Sequence, residues 1–181
     1  MLRGELAGLR ARMAADTEIL HTELYENVDE WARASVQPWT PVPLGDASPY
    51  AVRGADRKEV LAGGTAGFSV VELASGELAG ASSLWGIDTH HRCAHIGIGL
   101  RPAFRGRGLG ADVVRVLSRY AFITLGLRRV QLETLSDNRA MIAVAEKTGF
   151  TREGTLRSAL WVNGRFADDV VFGLLETEFS G

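Results

Sequence analysis

Sulfur, long apolar runs and obvious internal boundaries are scarce in this chain. It carries one cysteine, Cys93, in 181 residues. A single thiol forms no internal disulfide and cannot build a structural zinc site, which excludes the small disulfide-stapled and zinc-stapled classes. Ala34–Gly45, at twelve residues, is as long as any stretch free of Asp, Glu, Lys and Arg, and it holds three prolines. That falls far short of the ~20 apolar residues a membrane-spanning helix needs. Met1-Leu2-Arg3-Gly4-Glu5 has no basic segment followed by an apolar run, so no signal peptide is expected and the location expected is cytoplasmic. No repeat, low-complexity tract, charge block or linker divides the sequence, and its length suits a single domain, residues 1–181. The formal charge is −2, and the one basic island is short, so no nucleic-acid partner is expected. What is present in excess is glycine: 21 residues, well above the ~7% norm.

The periodicity predicts a mixed sheet with helices on its faces. Gly4–Arg12 reads as an opening strand. Asp16–Ala34 reads as a helix with Asp16 as its N-cap. Gln37–Tyr50 holds four of the five prolines and must be an irregular loop. Phe68–Glu72 and Leu78–Ile87 flank a turn and read as a hairpin. A turn at Thr89–Arg92 precedes a strand, Cys93–Leu100. Leu109–Leu125 is an amphipathic helix, Arg128–Thr134 a strand, and Asn138–Lys147 a helix stopped at Gly149. Trp161–Arg165 and Val170–Leu175 read as a final hairpin.

Five glycines fall between residues 97 and 110, in two groups. In Ala94-His-Ile-Gly-Ile-Gly-Leu100 the period-2 alternation puts Ile96, Ile98 and Leu100 on one face and His95, Gly97 and Gly99 on the other. A face so nearly stripped of side chains predicts a close approach to the backbone, by a ligand or by a neighbouring helix. The second group, Arg105-Gly-Arg-Gly-Leu-Gly110, opens a helix. Glycines there leave N–H groups unobstructed at the positive end of the helix dipole, which suits a pyrophosphate. Thr89–Ala111 contains Arg92, Arg101, Arg105 and Arg107 and no acid, which adds to the same charge preference. The chain lacks Gly-x-x-x-x-Gly-Lys-Ser/Thr, which excludes a P-loop. Gly106-x-Gly108-x-x-Ala111 formally fits the dinucleotide fingerprint, with Glu133 where a ribose-binding acid would stand. However, Arg101–Arg105 separates the strand from the first glycine, and only 48 residues follow Glu133, too few for a doubly wound sheet.

With these residues in view, the sequence resembles the GNAT superfamily of acyl-CoA-dependent N-acyltransferases, and within it the RimJ/RimL-like branch. Arg105–Gly110 is similar to the family's Arg/Gln-x-x-Gly-x-Gly/Ala loop. Asn138–Phe150 is similar to its Asn-led helix ending in Gly-Phe, and Asn163–Asp168 with Leu174-Leu-Glu is similar to the branch's ending. The resemblance implies the GNAT fold, a mostly antiparallel sheet splayed between two parallel central strands, Cys93–Leu100 and Arg128–Thr134. It implies acetyl-CoA in the gap, its pantetheine bonded near Ile98 and Leu100. Its pyrophosphate would lie on Arg105, Gly106, Arg107, Gly108, Leu109 and Gly110, with Asn138 against the pantetheine arm or capping its own helix. A backbone N–H of the first strand would polarise the thioester carbonyl.

The implied reaction moves an acetyl group to a primary amine, on a protein N-terminus or a small molecule, by direct attack in a ternary complex without a metal. Transfer of another acyl group such as succinyl, or silent CoA binding, are the alternative readings. The amine must lose a proton, and Glu133, matching the base of RimI-type enzymes, is the first candidate to take it; His95 is the second. Two positions depart from the family. Ala145 stands where many relatives carry a tyrosine that protonates the departing thiolate, and Met141 stands where RimL-like members often carry serine. Trp39, Tyr50, Trp85 and the 89–92 turn are expected to wall the acceptor cleft. Asp168 and Asp169 either receive a cationic amine or, for Asp168, fix the last hairpin. The resemblance also suggests a homodimer.

Overall fold

The structure, a computed structural model, describes residues 1–52 and 64–180. Eight strands form one sheet: β1 Leu2–Arg3, β2 Ala7–Arg10, β3 Ala66–Glu72, β4 Leu78–Asp88, β5 Cys93–Leu100, β6 Arg129–Leu135, β7 Thr151–Val162 and β8 Arg165–Leu175. Their order is β1-β2-β3-β4-β5-β6-β8-β7. Every pairing is antiparallel except β5 with β6. Four α-helices are found among the described residues: α1 Ala14–Leu20, α2 Val28–Ala34, α3 Leu109–Arg119 and α4 Arg139–Lys147. Both α1 and α3 run on into a π-helical turn, His21–Tyr25 and Tyr120–Thr124. No helix among the described residues is long and apolar enough to cross a membrane.

Helices lie on both sides of the sheet, as the sequence predicts. The apolar stripe of α3, with Val113, Val116 and Leu117 buried, joins Leu84, Ile96, Val130, Leu132, Val170 and Phe172 in the main core, and Ala145 of α4 seals it. A smaller cluster on the opposite face sets Leu20 and Leu24 of the first helical segment against Leu78 and Ala81 of β4. The alternation along β6 sorts the site from the core. Val130 and Leu132 face α3 and are fully buried, whereas Gln131 and Glu133 face the other way and are half-buried.

Several boundaries differ from the sequence expectation. The opening segment is two short strands, because Asp112 in the first turn of α3 accepts the backbone N–H groups of Glu5, Leu6 and Ala7 and folds the chain back on itself. Asp16 is not the N-cap of α1. Met13 holds that position, and Asp16, three residues into the helix, reaches back to accept the Met13 N–H at 2.8 Å. The expected Asp16–Ala34 helix is two helices, since Asn27 adopts extended backbone and caps α2 through the Glu30 N–H. The last hairpin is longer than Trp161–Arg165 and Val170–Leu175 predict: β7 and β8 are 12 and 11 residues long and turn at Asn163-Gly164, both at positive φ. Gln37–Tyr50 is irregular, as its prolines require.

Candidate active site

The central feature is where β5 and β6 part. They pair only at Cys93 with Arg129, Ala94 with Val130 and His95 with Gln131. Beyond that, β5 stays on β4 as far as Leu100 opposite Gly80, while β6 stays on β8 as far as Leu135 opposite Asp169. A V opens between the two inner strands. Along β5 from Ile96 to Leu100, one edge therefore carries N–H and C=O groups with no strand partner, and such groups call for one.

The close approach that the β5 glycines predict is made by the chain itself and not by a ligand. A Cβ on Gly97 would lie 2.9 Å from Ser83 Oγ and 3.6 Å from the Trp85 ring, and one on Gly99 would lie 3.6 Å from Leu24. The chain itself closes on the bare face, from β4 and from the first helix. The opening for an extended ligand is at the edge of β5.

At the wide side of the V the Arg105–Gly110 loop enters α3. Gly106 and Gly108 have φ of 72° and 82°, conformations that cost a side chain energy, and Gly108 is the N-cap of α3. Among the described residues no side chain caps that end, which leaves its first N–H groups and the positive end of the helix dipole for a ligand. All four arginines of this region have partners. Arg105 donates to the Leu100 carbonyl at 3.0 Å and pairs with Glu30 of α2 at 2.9 Å. Arg107 pairs with Glu72 at 2.6 Å, Arg101 with Glu23 at 2.5 Å, and Arg92 donates to the Gly126 carbonyl at 2.8 Å. Arg33 of α2 pairs with Asp137 at 2.7 Å, so α2 is tied to both rims of the V, at the loop and at the start of α4. These ties were not legible in sequence, because they join residues up to 104 positions apart.

Asn138 is the N-cap of α4. Its Oδ1 accepts the Met141 N–H and its Nδ2 donates to Thr134 Oγ1 at 3.0 Å. Ala145 is fully buried and carries no group that could move a proton.

Where the strands part, the structure brings the two predicted bases together. His95 Nδ1 lies 3.6 Å from Glu133 Oε1, and Gln131 Nε2 donates to that oxygen at 2.5 Å. The His95 ring stacks on Trp85 with centroids 4.1 Å apart and planes 20° apart, and its Nδ1 is buried without a hydrogen-bond partner among the described residues. Asp169 completes a row across four adjacent strands, from Trp85 to His95, Glu133 and Asp169. Asp168 does not join it; its carboxylate accepts the Ser158 N–H at 2.8 Å and fixes the irregular part of the hairpin. Of the expected cleft wall only Trp85 is at this row. Trp39 donates to the Tyr25 carbonyl and stacks on Tyr25, and Tyr50 packs edge-on to Trp31. Both belong to an aromatic cluster over the first helix, beside a cavity of about 340 Å³ lined by His21, Tyr25, Trp39 and Pro41.

The sequence profile of the acetyltransferase (GNAT) domain matches residues 8–151. The provisionally assigned ribosomal N-acetyltransferase YdaF of Bacillus subtilis (strain 168) is 38% identical over 109 residues, 60% of each chain. The spermidine N(1)-acetyltransferase of Vibrio cholerae is 29% identical over 110 residues, 61% of this chain and 64% of that one. These matches thus span less than two thirds of the relatives' length. Over nearly the whole chain the fold is that of a crystal structure described as a probable acetyltransferase, with TM-score 0.78, 28% identity and coverage of 97% and 96%. The RimL ribosomal alpha-N-protein acetyltransferase in complex with coenzyme A shares the fold at TM-score 0.79 and 21% identity, covering 97% and 96%. With a profile match across four fifths of its length and the splayed sheet in place, this chain belongs to the GNAT acetyltransferase family.

Proposed function

We propose that the protein is an N-acetyltransferase that moves an acetyl group from acetyl-CoA to a primary amine by direct attack. The observation that carries this reading is the V between β5 and β6, with an uncapped, glycine-led helix start on one side and Glu133 with His95 at its apex. The free edge of β5 at Ile98 and Leu100 suits a pantetheine lying as a short strand. The N–H groups from Gly106 to Gly110, with Arg105 and Arg107, suit the pyrophosphate. Arg105 would exchange Glu30 for phosphate, a trade of one anion for another. Asn138 supports the gap from the start of α4, where its amide already spans α4 and β6.

The residues present fit acetyl-CoA, which supplies the activated thioester. Glu133 takes the proton of the attacking amine, held in place by Gln131, and His95 stands against it to steady its charge or share the proton. A β5 N–H facing the gap polarises the carbonyl. The thiolate leaves without a side-chain acid at Ala145, which a thiol's modest pKa permits. Acetyl is favoured over succinyl because the side chains gathered at the apex include the carboxyls of Glu133 and Asp169, which would repel a second carboxylate there. The relatives named for spermidine and for ribosomal-protein N-termini support an amine acceptor of one of those kinds. A cytoplasmic homodimer belongs to the same reading. The dimer is supported by the free edge of β7 and by Trp161 and Phe166, both 64% exposed on the last hairpin.

An amine panel offered with acetyl-CoA and with succinyl-CoA, read by mass spectrometry, tests this. Acetylated product from at least one amine and none from succinyl-CoA is the expected result. Turnover with succinyl-CoA alone, or acyl-CoA binding with no product from any amine, contradicts it.

A further inference from the structure

The row across the sheet continues one strand past the two predicted bases. Glu133 is opposite Val171 on β8, and Asp169 is opposite Leu135, so the two carboxylates share one face of the sheet as diagonal neighbours, within reach of a glutamate side chain. Asp169 is 6% exposed, and its Oδ1 is buried with no hydrogen-bond partner among the described residues. A buried carboxylate oxygen left unpaired is costly. The fold keeps one here, beside the splay and next to the residue that takes the amine's proton.

We propose that Asp169 is a positioning residue for the base, accepting through Glu133 the proton that the attacking amine gives up. This rests on Glu133 being the base. The amine nitrogen forms the C–N bond to the thioester carbonyl carbon. The C–S bond breaks with its electron pair on sulfur, and the nitrogen's proton goes to Glu133. That proton then passes to Asp169, which restores the Glu133 anion for the next acceptor. The thiolate takes a proton from water, and Asp169 returns its proton to solvent between turnovers.

The surroundings of Asp169 suit a group that binds a proton well. Burial, and then the charge of Glu133, push its carboxyl up to about 6 against N–H groups of Thr134 and Val170 that favour the anion. Among the described residues, Glu133 is the charged side chain whose field acts on Asp169. His95 on β5 stands on the far side of Glu133. Asp168, next along β8, is engaged with the Ser158 N–H, and from β7 the residue opposite is Leu156.

Two measurements on the full chain test the inference. Carboxyl-detected NMR titration of the protein without ligand needs no turnover. Asp169 should titrate near 6 and drop by more than half a unit in Glu133→Gln; a midpoint the substitution does not move overturns the pairing. In the acetyl-transfer assay, Asp169→Asn keeps the shape and removes the proton-accepting oxygen. It should lower kcat about ten-fold with KM for acetyl-CoA unchanged, and move the acid limb of the kcat–pH profile down by about one unit or more. An acid limb left in place with kcat intact overturns the proposal. If Glu133→Gln keeps wild-type turnover, the base assignment fails and this inference with it. If Glu133→Gln is inactive and Asp169→Asn keeps the wild-type profile, this inference alone falls.

Discussion

Two buried aspartates carry opposite signs of stability. Burial alone disfavours the Asp16 anion, but Arg10 at 2.6 Å, the Met13 N–H and Ser69 Oγ outweigh that and hold its carboxyl down at about 2. A group depressed on folding stabilises above its unfolded pKa, ~3.9, and loses that contribution as pH falls toward the folded value; the linkage here is worth about 2 kcal/mol. Asp169, pushed up to about 6, works the other way. Its contribution is complete below ~3.9 and is lost as pH rises through the folded value. Asp16→Asn should therefore lower the melting temperature at pH 7 and flatten acid unfolding between about pH 4 and 2. Asp169→Asn should raise it at pH 8, and thermal melts across pH check both. The residues nearest the proposed chemistry thus include one that the fold holds at a cost, as functional groups often are.

Single residues also mark what the sequence could and could not disclose. The roles proposed for Glu133 and Asn138 came from the family resemblance. The places of Glu133, His95, Asn138 and the Arg105–Gly110 loop on a strand or helix start were legible, because period and end signals are local. The Trp85–His95 stack, the orphaned Asp169 oxygen and the Asp112 clamp on the second strand were not. Each depends on register between strands or on a contact more than a hundred positions away. The two β5 glycines show the limit from the other direction. Their pattern correctly signalled a close approach, but only coordinates could tell a neighbouring Ser83, Trp85 and Leu24 from a ligand.

At the scale of elements, boundaries moved where a side chain redirected the backbone. Asn27 splits the first helix, and the two-residue turn at Asn163-Gly164 lengthens the last hairpin. That hairpin leaves β7 at the edge of the sheet, its outer residues largely exposed and its neighbour β8 presenting Phe166 in an edge-on pair with Trp161. An uncovered edge strand with exposed aromatics is a surface that pairs readily. Light scattering should give twice the 19.6 kDa chain mass, and Trp161→Arg should shift it toward the monomer. A wild-type mass of one chain contradicts the dimer.

For the whole molecule, the fold class was readable from the order of motifs: a meander, a strand, a glycine-led helix, a strand and an Asn-capped helix. The V between β5 and β6 was implied by the family resemblance and not by motif order alone, because the number of residues over which the two strands stay paired is decided by packing on both faces of the sheet. That parting gives the account its center. It exposes a strand edge and a helix start to one ligand while setting Glu133 at the apex. The most direct measurement is steady-state CoA release from acetyl-CoA with the best amine of the panel, in the wild type and in Glu133→Gln. The account predicts a kcat about a hundred-fold lower in the variant with KM for acetyl-CoA unchanged. A variant that turns over like the wild type would contradict it.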